Sequence, residues 1–267
     1  MTAGGSRSRR LPPRRRSRGG SASQKGVLVG RRPALEAIRS GAAREILVAE
    51  AARSTPGLRE VAEAASRAGV AIRRVPLERV EELSGGVVHQ GVAVRVAPPR
   101  KLREADLDAD FWPDDALAVV LDGITDPQNL GAIARTAEAA GASALVVRAR
   151  RGAGTSPGAV RASAGALLHV PVAEVPNVPR AIRRLQEGGF WTVGLHWGSG
   201  SSILDAVRPP GRLALVLGAE GEGLSRLVRE RCDELLEIPM RGKMGSLNVS
   251  VAAGVAVFAY ALRGKPS

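Results

Sequence analysis

Five polar side chains lie in three separated stretches where their types and spacing could support chemistry. They are Asn129, Arg135, Glu220, Ser246 and Asn248. Each stretch runs from an apolar, strand-like segment into a glycine-containing turn, and two of the stretches open a helix. Turns of this kind place side chains and backbone N–H groups at the carboxyl edge of an α/β sheet, where ligands of open α/β folds bind. The sequence therefore predicts one site assembled from three turns.

The first stretch combines an amide with a guanidinium. Asn129 lies where a helix N-cap is expected, and Arg135 follows about one turn into that helix. Because helical side chains point back toward the N-terminus, we expect the Arg135 guanidinium to reach the space beside Asn129. Its planar fork of donors suits a phosphate. Taken alone, these residues also fit a plain helix cap and a solvated surface arginine.

The second stretch, Gly218-Ala219-Glu220-Gly221-Glu222-Gly223, is rich in glycine. Its spacing differs from the G-x-G-x-x-G fingerprint of dinucleotide-binding folds, and the Gly242-Lys243 pair lacks the serine or threonine of a Walker A loop. Glycine has no Cβ to keep a ligand away, so this loop favours close approach of a ligand to the backbone. We expect the side chain of Glu222 to be exposed.

The third stretch places Ser246 and Asn248 where the last helix starts. Free N–H groups at a helix N-terminus suit a carboxylate or the polar edge of a nucleoside. Ile238 and Met240 precede them and would offer apolar walls and backbone groups to a bound molecule. This stretch therefore predicts one wall of a ligand site.

In order, wording and spacing, the three stretches resemble the three motifs of the SpoU (TrmH-like) branch of the SPOUT RNA methyltransferases. The resemblance implies an α/β catalytic domain with a deep C-terminal trefoil knot, S-adenosyl-L-methionine as the cofactor, and methylation of a ribose 2′-hydroxyl in RNA. It implies catalytic roles for the five polar residues named above. Cofactor contacts are implied for Gly218, Ala219, Glu220, Gly221, Ile238, Met240, Ser246 and Leu247. No metal is expected, because the sulfonium charge already activates the methyl group.

The resemblance would make Arg135 the base that deprotonates the 2′-hydroxyl. A guanidinium is effectively always protonated in proteins. We therefore interpret Arg135 as a clamp on an RNA phosphate next to the target ribose. The other four polar residues then arrange the site, and the identity of the general base stays open.

Composition divides the chain into four segments. Residues 1–25 carry eight arginine or lysine side chains and no acidic one, which predicts a disordered basic tail that adds affinity for RNA phosphates. A merely solubilising tail is the alternative. Residues 26–97 alternate four strands with three helices, residues 98–113 predict a linker, and residues 114–267 predict the catalytic α/β domain. Apolar runs such as 117–121 show little alternation, which is typical of a parallel sheet covered on both faces.

Residues 29–37 and His89-Gln90-Gly91-Val92-Ala93 make the segment 26–97 similar to the ribosomal-protein-like substrate-binding domain that many enzymes of this branch carry. That likeness is to enzymes acting on large-subunit rRNA, so it favours a guanosine of 23S rRNA as the substrate. The alternatives are transfer RNA, rRNA methylation that confers antibiotic resistance, methylation of a base nitrogen, and RNA binding without catalysis. For His89, the sequence leaves open an RNA contact or a role in the turn.

The net charge is +13, aromatic residues make up 3%, and Cys232 is the single cysteine. We expect an aliphatic core, a cysteine that packs rather than reacts, and, in the absence of a secretory signal, a reducing cytoplasm. The most apolar run, 249–262, falls short of the roughly 20 residues that cross a bilayer and predicts a buried helix. Small residues in the helices at 133–140 and 249–262 favour a homodimer, which the family resemblance also implies.

Overall fold

The structure is a computed structural model that describes residues 26–98, 100–149, 157–242 and 245–261. The predicted basic tail, 1–25, lies outside the described residues, as does Leu262 at the end of the predicted last helix. The described chain contains a four-stranded sheet followed by a seven-stranded sheet. This is the predicted α/β class, with two layered units in the predicted order.

The first unit contains the four strands and three helices that the sequence predicts. In chain order they are β1 (Val27–Val29), α1 (Arg31–Arg39), β2 (Ala43–Ala49), α2 (Pro56–Arg67), β3 (Ala71–Val75), α3 (Leu77–Ser84) and β4 (Val92–Val96). The sheet order is β1-β4-β2-β3, in which only the β2–β3 pair is parallel. His89 helps to close the turn before β4, because its Nδ1 accepts a hydrogen bond from the Gly91 N–H at 3.0 Å.

The second unit is a parallel sheet with helices on both faces. Its elements are β5 (Lys101–Leu102), β6 (Leu117–Asp122), α4 (Pro127–Ala139), β7 (Ala144–Arg148), α5 (Pro157–Ala162), β8 (Val172–Val175), α6 (Val178–Glu187), β9 (Phe190–Leu195), β10 (Arg212–Gly218), α7 (Arg226–Arg231), β11 (Glu234–Leu236) and α8 (Val249–Ala256). The strand order is β11-β9-β10-β6-β7-β8-β5, and every neighbouring pair is parallel. A turn of π-helix, Val257–Ala261, continues α8.

Successive residues of β6 are buried on opposite faces of this sheet. Leu117 and Val119 belong to the core that includes residues of α4 and α8, whereas Ala118 and Val120 belong to a second core with residues of α6. Strands buried on both faces have no need for polar residues at alternate positions, which explains the continuous apolar run. The prediction of a sheet covered on both faces is confirmed.

The segment predicted as a linker, 98–113, carries more structure than the sequence indicates. Strand β5 extends the seven-stranded sheet beyond β8, and a 3-10 helix follows at Glu104–Asp108. Leu107 and Trp112 are buried in the core beneath α6. Proline and charge mark the ends of this segment, but a few apolar side chains are enough to hold its centre against the sheet.

The last helix is only partly buried, which corrects the prediction for 249–262. Val249, Ala253 and Ala256 face the core, while Val251 and, in the π-helical turn, Phe258 are each 53% exposed. An apolar run predicts that a helix is buried. It does not predict which of its side chains pack inside the chain and which remain on the surface.

Helix α4 approaches α5 so closely that one position requires glycine. A Cβ built on Gly131 would lie 2.5 Å from the carbonyl carbon of Ala162 and 2.6 Å from its Cβ. Real Cβ atoms do not come this close, and the obstacle includes backbone, which cannot rotate away.

We therefore expect Gly131→Ala to destabilise the protein by about 2 kcal/mol, the usual size of an overpacking penalty. The measurement is urea unfolding followed by circular dichroism. Gly57→Ala is the matched control, because the atoms within 4 Å of its new Cβ belong to the flexible Arg31 side chain. Equal stability of the two variants would contradict this account of the α4–α5 contact.

Candidate active site

Four parallel strands end at the same level and bring their following loops together. Leu217 of β10 pairs with Leu121 of β6 on one side and with Leu195 of β9 on the other, and Leu195 pairs with Leu236 of β11. The loops that begin after these residues therefore meet at one edge of the sheet. Three of the four loops are the stretches predicted from the sequence.

A cavity of about 340 Å³ opens between the loops that follow β9, β10 and β11. Its volume lies near the lower end of the roughly 300–1,000 Å³ typical of small-molecule sites. All eight residues predicted to contact a cofactor line it, namely Gly218, Ala219, Glu220, Gly221, Ile238, Met240, Ser246 and Leu247. The remaining wall includes Leu195, Leu217 and Val249, so the pocket is largely apolar with polar groups at defined positions.

The loop after β10 doubles back on itself. Ala219 and Gly223 form a pair of backbone hydrogen bonds, in which the N–H of each donates to the carbonyl of the other at 3.1 and 2.9 Å. A Cβ on Gly218 would lie 2.1 Å from the carbonyl carbon of Gly223. Glycine at 218 is therefore a condition for closing the loop, and the closed loop presents Glu220 at its tip.

Three polar side chains from three separate segments of the chain form one hydrogen-bonded cluster. The Asn248 amide donates to Asn129 Oδ1 at 3.1 Å, and both asparagine amides approach Glu220 Oε2 at 3.4 Å. Asn248 Oδ1 accepts from the Ser250 N–H at 2.9 Å and from its hydroxyl at 2.6 Å. Each amide thus has its oxygen toward donors and its nitrogen toward acceptors. The cluster lies beside the cavity, because Glu220 belongs to both.

The structure changes the local role predicted for Asn129. Helix α4 begins at Pro127, and its N-cap is Asp126, whose side chain accepts from the Gln128 N–H at 3.0 Å. Proline suits the first helical position because its missing N–H needs no partner there. Asn129 is left free of capping and lies in the first turn, with its amide turned toward Glu220. Asn248, by contrast, is the N-cap of α8, as the sequence indicates.

Arg135 is not part of this cluster. It lies two turns further along α4, exposed, in the wall of a second groove of about 960 Å³. Arg32 and Arg39 of α1, together with His169 and Phe258, also line that groove. None of the three residues of the cluster lines that groove. The predicted approach of the Arg135 guanidinium to the Asn129 amide stays a prediction.

Two further sequence expectations concern acidic and sulfur groups near the site. The Glu222 side chain is exposed, as predicted. Cys232 ends α7, and burial, assisted by the charges of Asp233 and Asp122, raises the pKa of its thiol to about 12. A thiol with so high a pKa carries almost no thiolate at neutral pH, which agrees with a packing role for this cysteine.

His196 and Trp197 also line the cavity and were missed by motif reasoning. His196 directly follows β9 at the same sheet edge, and its Nε2 lies 3.2 Å from the Arg229 guanidinium. Burial and the positive charge of Arg229 lower the pKa of His196, against an opposing effect of Glu237. A search for polar residues after every predicted strand, rather than for motifs, would have found this histidine.

The described part of the chain contains no group of three or more histidine, cysteine, aspartate or glutamate side chains that could hold a metal ion. In the same residues, no helix combines the length and the apolar character needed to cross a membrane.

Comparison with known proteins identifies both units. Residues 27–102 match the family described as RNA 2′-O ribose methyltransferase substrate binding, and residues 116–258 match the SpoU rRNA Methylase family. The chain is 46% identical over 191 residues, or 71% of its length and 78% of the relative, to the 23S rRNA (guanosine-2′-O-)-methyltransferase RlmB of Salmonella typhi. It is 44% identical over 217 residues to the RlmB of Xanthomonas campestris pv. campestris, covering 80% of this chain and 86% of that one.

A solved structure agrees with these relatives. The SpoU methyltransferase AviRb from Streptomyces viridochromogenes, in complex with the cofactor AdoMet, superposes with a TM-score of 0.72 at 27% identity, covering 90% of each chain. The second unit matches one family over more than half of the chain, and the relatives are covered for more than two thirds of their length. The chain therefore belongs to the SpoU rRNA Methylase family.

Proposed function

We propose that the protein transfers a methyl group from S-adenosyl-L-methionine to the 2′-hydroxyl of a guanosine ribose in 23S rRNA. The observation that carries the proposal is the contact between a nucleoside-sized cavity and the Asn129–Glu220–Asn248 cluster at one sheet edge. The RlmB relatives are named for this reaction, and the AviRb structure contains AdoMet.

The cavity suits this cofactor by shape and by chemistry. Leu195, Ile238 and Leu247 offer apolar surface to an adenine, and the folded-back glycine loop exposes backbone beside it. The cofactor supplies a methyl group already activated by the positive charge on its sulfur. The residues of this chain therefore have to hold the donor, exclude water and orient the acceptor.

The polar cluster is placed to orient the acceptor. Glu220 and the two asparagines carry both donors and acceptors at the edge of the cavity, and each is held by the others. A hydroxyl that exchanges hydrogen bonds with such a cluster is fixed relative to the cavity. Alignment of donor and acceptor alone lowers a barrier by several kcal/mol, about 7–11 in well-oriented intramolecular reactions.

In the same proposal, residues 26–97 bind the RNA, 98–113 connect the two units, and 114–267 catalyse the transfer. One face of the smaller sheet supports RNA binding, because Arg73 and Arg95 flank the single carboxylate of Glu45 at 3.1 and 3.3 Å and leave a net positive charge. The basic tail would add to this attraction. Acting on rRNA, the protein would work in the cytoplasm.

The proposal extends to a trefoil knot in the C-terminal part of the chain. The family resemblance supports it, as does the meeting of the segments after β9, β10 and β11 around one cavity, with α8 returning against α4 and β10. An experimental chain trace through the whole of 190–261 tests this proposal.

The proposed function predicts that the purified protein binds S-adenosylhomocysteine in isothermal calorimetry with one site per chain. In cells, mapping of ribose 2′-O-methylation in total RNA should show one 23S rRNA guanosine that loses its methyl group when the gene is deleted. Folded protein that fails to bind S-adenosylhomocysteine would overturn the cofactor assignment. A lost methyl group in transfer RNA instead would overturn the substrate.

Two asparagines that both cap helices allow the capping role of Asn248 to be distinguished from its proposed role in catalysis. Asn248 caps α8 and Asn177 caps α6, each accepting from a backbone N–H, at 2.9 and 2.8 Å. Replacing either with alanine should cost about 1 kcal/mol of unfolding free energy, the usual value of an N-cap. Only Asn248→Ala should also lose methyl transfer, on the order of 100-fold, because it removes a donor at the reacting centre. Equal activities of the two variants would show that Asn248 is merely a cap.

The position of Arg135 supports a homodimer in which each chain completes the site of the other. Arg135 lines a groove separate from the cavity of its own chain. Val251 and Phe258, each 53% exposed, leave apolar surface on α8 and on its π-helical extension. Neighbouring exposed apolar side chains of this kind favour an interface. A two-fold axis through this surface would present Arg135 to the RNA held at the partner's cluster.

This arrangement makes a sharp prediction for mixed dimers. Arg135→Ala and Asn248→Ala chains should each be inactive alone, with S-adenosylhomocysteine affinity kept in the Arg135 variant. Co-expressed chains that pair at random should recover about a quarter of wild-type activity, because half of the dimers are mixed and one of their two sites is intact. No recovery in dimers verified by light scattering would show that Arg135 acts within its own chain, and a monomeric mass would overturn the dimer.

A further inference from the structure

His196 connects the cofactor cavity with α7. It follows β9, lines the cavity, and its backbone N–H donates to the Leu236 carbonyl at 2.8 Å. Its ring lies between Arg229 and the glycine loop, since Nε2 is 3.2 Å from Arg229 Nη1 and Nδ1 faces Gly223. The ring is therefore held by its backbone and by Arg229, while its other nitrogen faces the glycine loop.

The contact with Arg229 determines which ring nitrogen carries the proton. A guanidinium has only donors, so Nε2 has to accept, and an imidazole whose Nε2 accepts carries its single proton on Nδ1. Burial and the charge of Arg229 lower the pKa of His196, with Glu237 opposing, so the neutral ring is the form present at pH 7. His196 therefore offers Nδ1–H as a hydrogen-bond donor.

That donor is unused in the described structure. Nδ1 is buried and has no hydrogen-bond partner among the described residues. Its neighbour in the loop is Gly223, where even a Cβ would stand 3.6 Å away. A buried donor without a partner costs free energy, and each such group in a native structure calls for an explanation. Because His196 and Gly223 both line the cavity, an acceptor atom of a ligand bound between them would satisfy this donor.

We propose that His196 is a cofactor-binding residue whose Nδ1–H donates a hydrogen bond to an acceptor atom of the adenosyl group, with Arg229 as the positioning residue that sets the tautomer. The acceptor is a ribose oxygen or a ring nitrogen of the nucleoside. This inference rests on the proposed function, because it takes S-adenosyl-L-methionine as the ligand of the cavity.

Two substitutions separate the ring nitrogens. The Asn side-chain nitrogen can take the place of Nδ1 and donate, whereas the longer Gln side chain can place its oxygen where Nε2 lies and accept from Arg229. Binding of S-adenosylhomocysteine to the full-length protein is measured by calorimetry, with Trp197 fluorescence as a second signal, since that exposed indole also lines the cavity. His196→Asn should bind within about twofold of wild type, and His196→Gln about fivefold more weakly, the usual cost of one neutral hydrogen bond.

The reverse order would overturn the inference, because a ring that acts only through Arg229 is replaced better by Gln than by Asn. Equal affinities for wild type and both variants would also overturn it. His169→Asn is the matched control and should leave binding unchanged, since His169 lines the other groove. If wild type itself failed to bind, the proposed function would fall instead, so the two failures are distinguishable.

A second measurement uses the wild-type protein and so does not depend on whether a variant folds. The chain has three histidines, so ¹⁵N-histidine labelling gives a simple spectrum. The His196 signals should show a protonated Nδ1 and an unprotonated Nε2, and the Nδ1 proton should shift when S-adenosylhomocysteine is added. A proton on Nε2 would contradict the proposed tautomer. An Nδ1 signal that does not shift when S-adenosylhomocysteine is added would contradict the proposed hydrogen bond to the cofactor.

Discussion

The common level at which four parallel strands end is the constraint on which the rest of the site depends. Leu121, Leu195, Leu217 and Leu236 lie side by side in the sheet. Side chains separated by more than a hundred residues in the chain therefore meet within hydrogen-bonding distance, as Asn129 and Asn248 do at 3.1 Å. A shift of one strand by one residue would exchange its two buried faces and move its loop away, so burial of both faces also fixes the site.

Close backbone approach is the second condition, and it follows from composition. With 32 glycines and 3% aromatic residues, the chain can bring helices and loops together where larger side chains would hold them apart. Gly131 lets α4 pack on α5, and Gly218 lets the loop after β10 fold back to present Glu220. The same property that suits the chain to a thin aliphatic core thus shapes the cofactor cavity.

Helix α4 contributes to both the polar cluster and the second groove. Its first turn carries Asn129 into the polar cluster, and two turns later it carries Arg135 into the groove beside the smaller unit. In the proposed function, one chain alone forms the cofactor side of the site. The RNA side combines the smaller unit of that chain with the partner chain of the dimer. His196 would belong to the cofactor side, tied by Arg229 to α7 rather than to any motif.

The sequence by itself determined the α/β class, the four-strand, three-helix order of the first unit, and the turns that carry Asn129, Glu220 and Asn248. These features are local, since apolar runs, glycine turns and helix starts are encoded by neighbouring residues. Tertiary structure alone decided that Arg135 lines a different groove, that β5 joins the sheet, and that His196 reaches the cavity. Each of these depends on which face of an element packs against a distant one, and that choice is made by the free energy of the whole core rather than by any short stretch of chain.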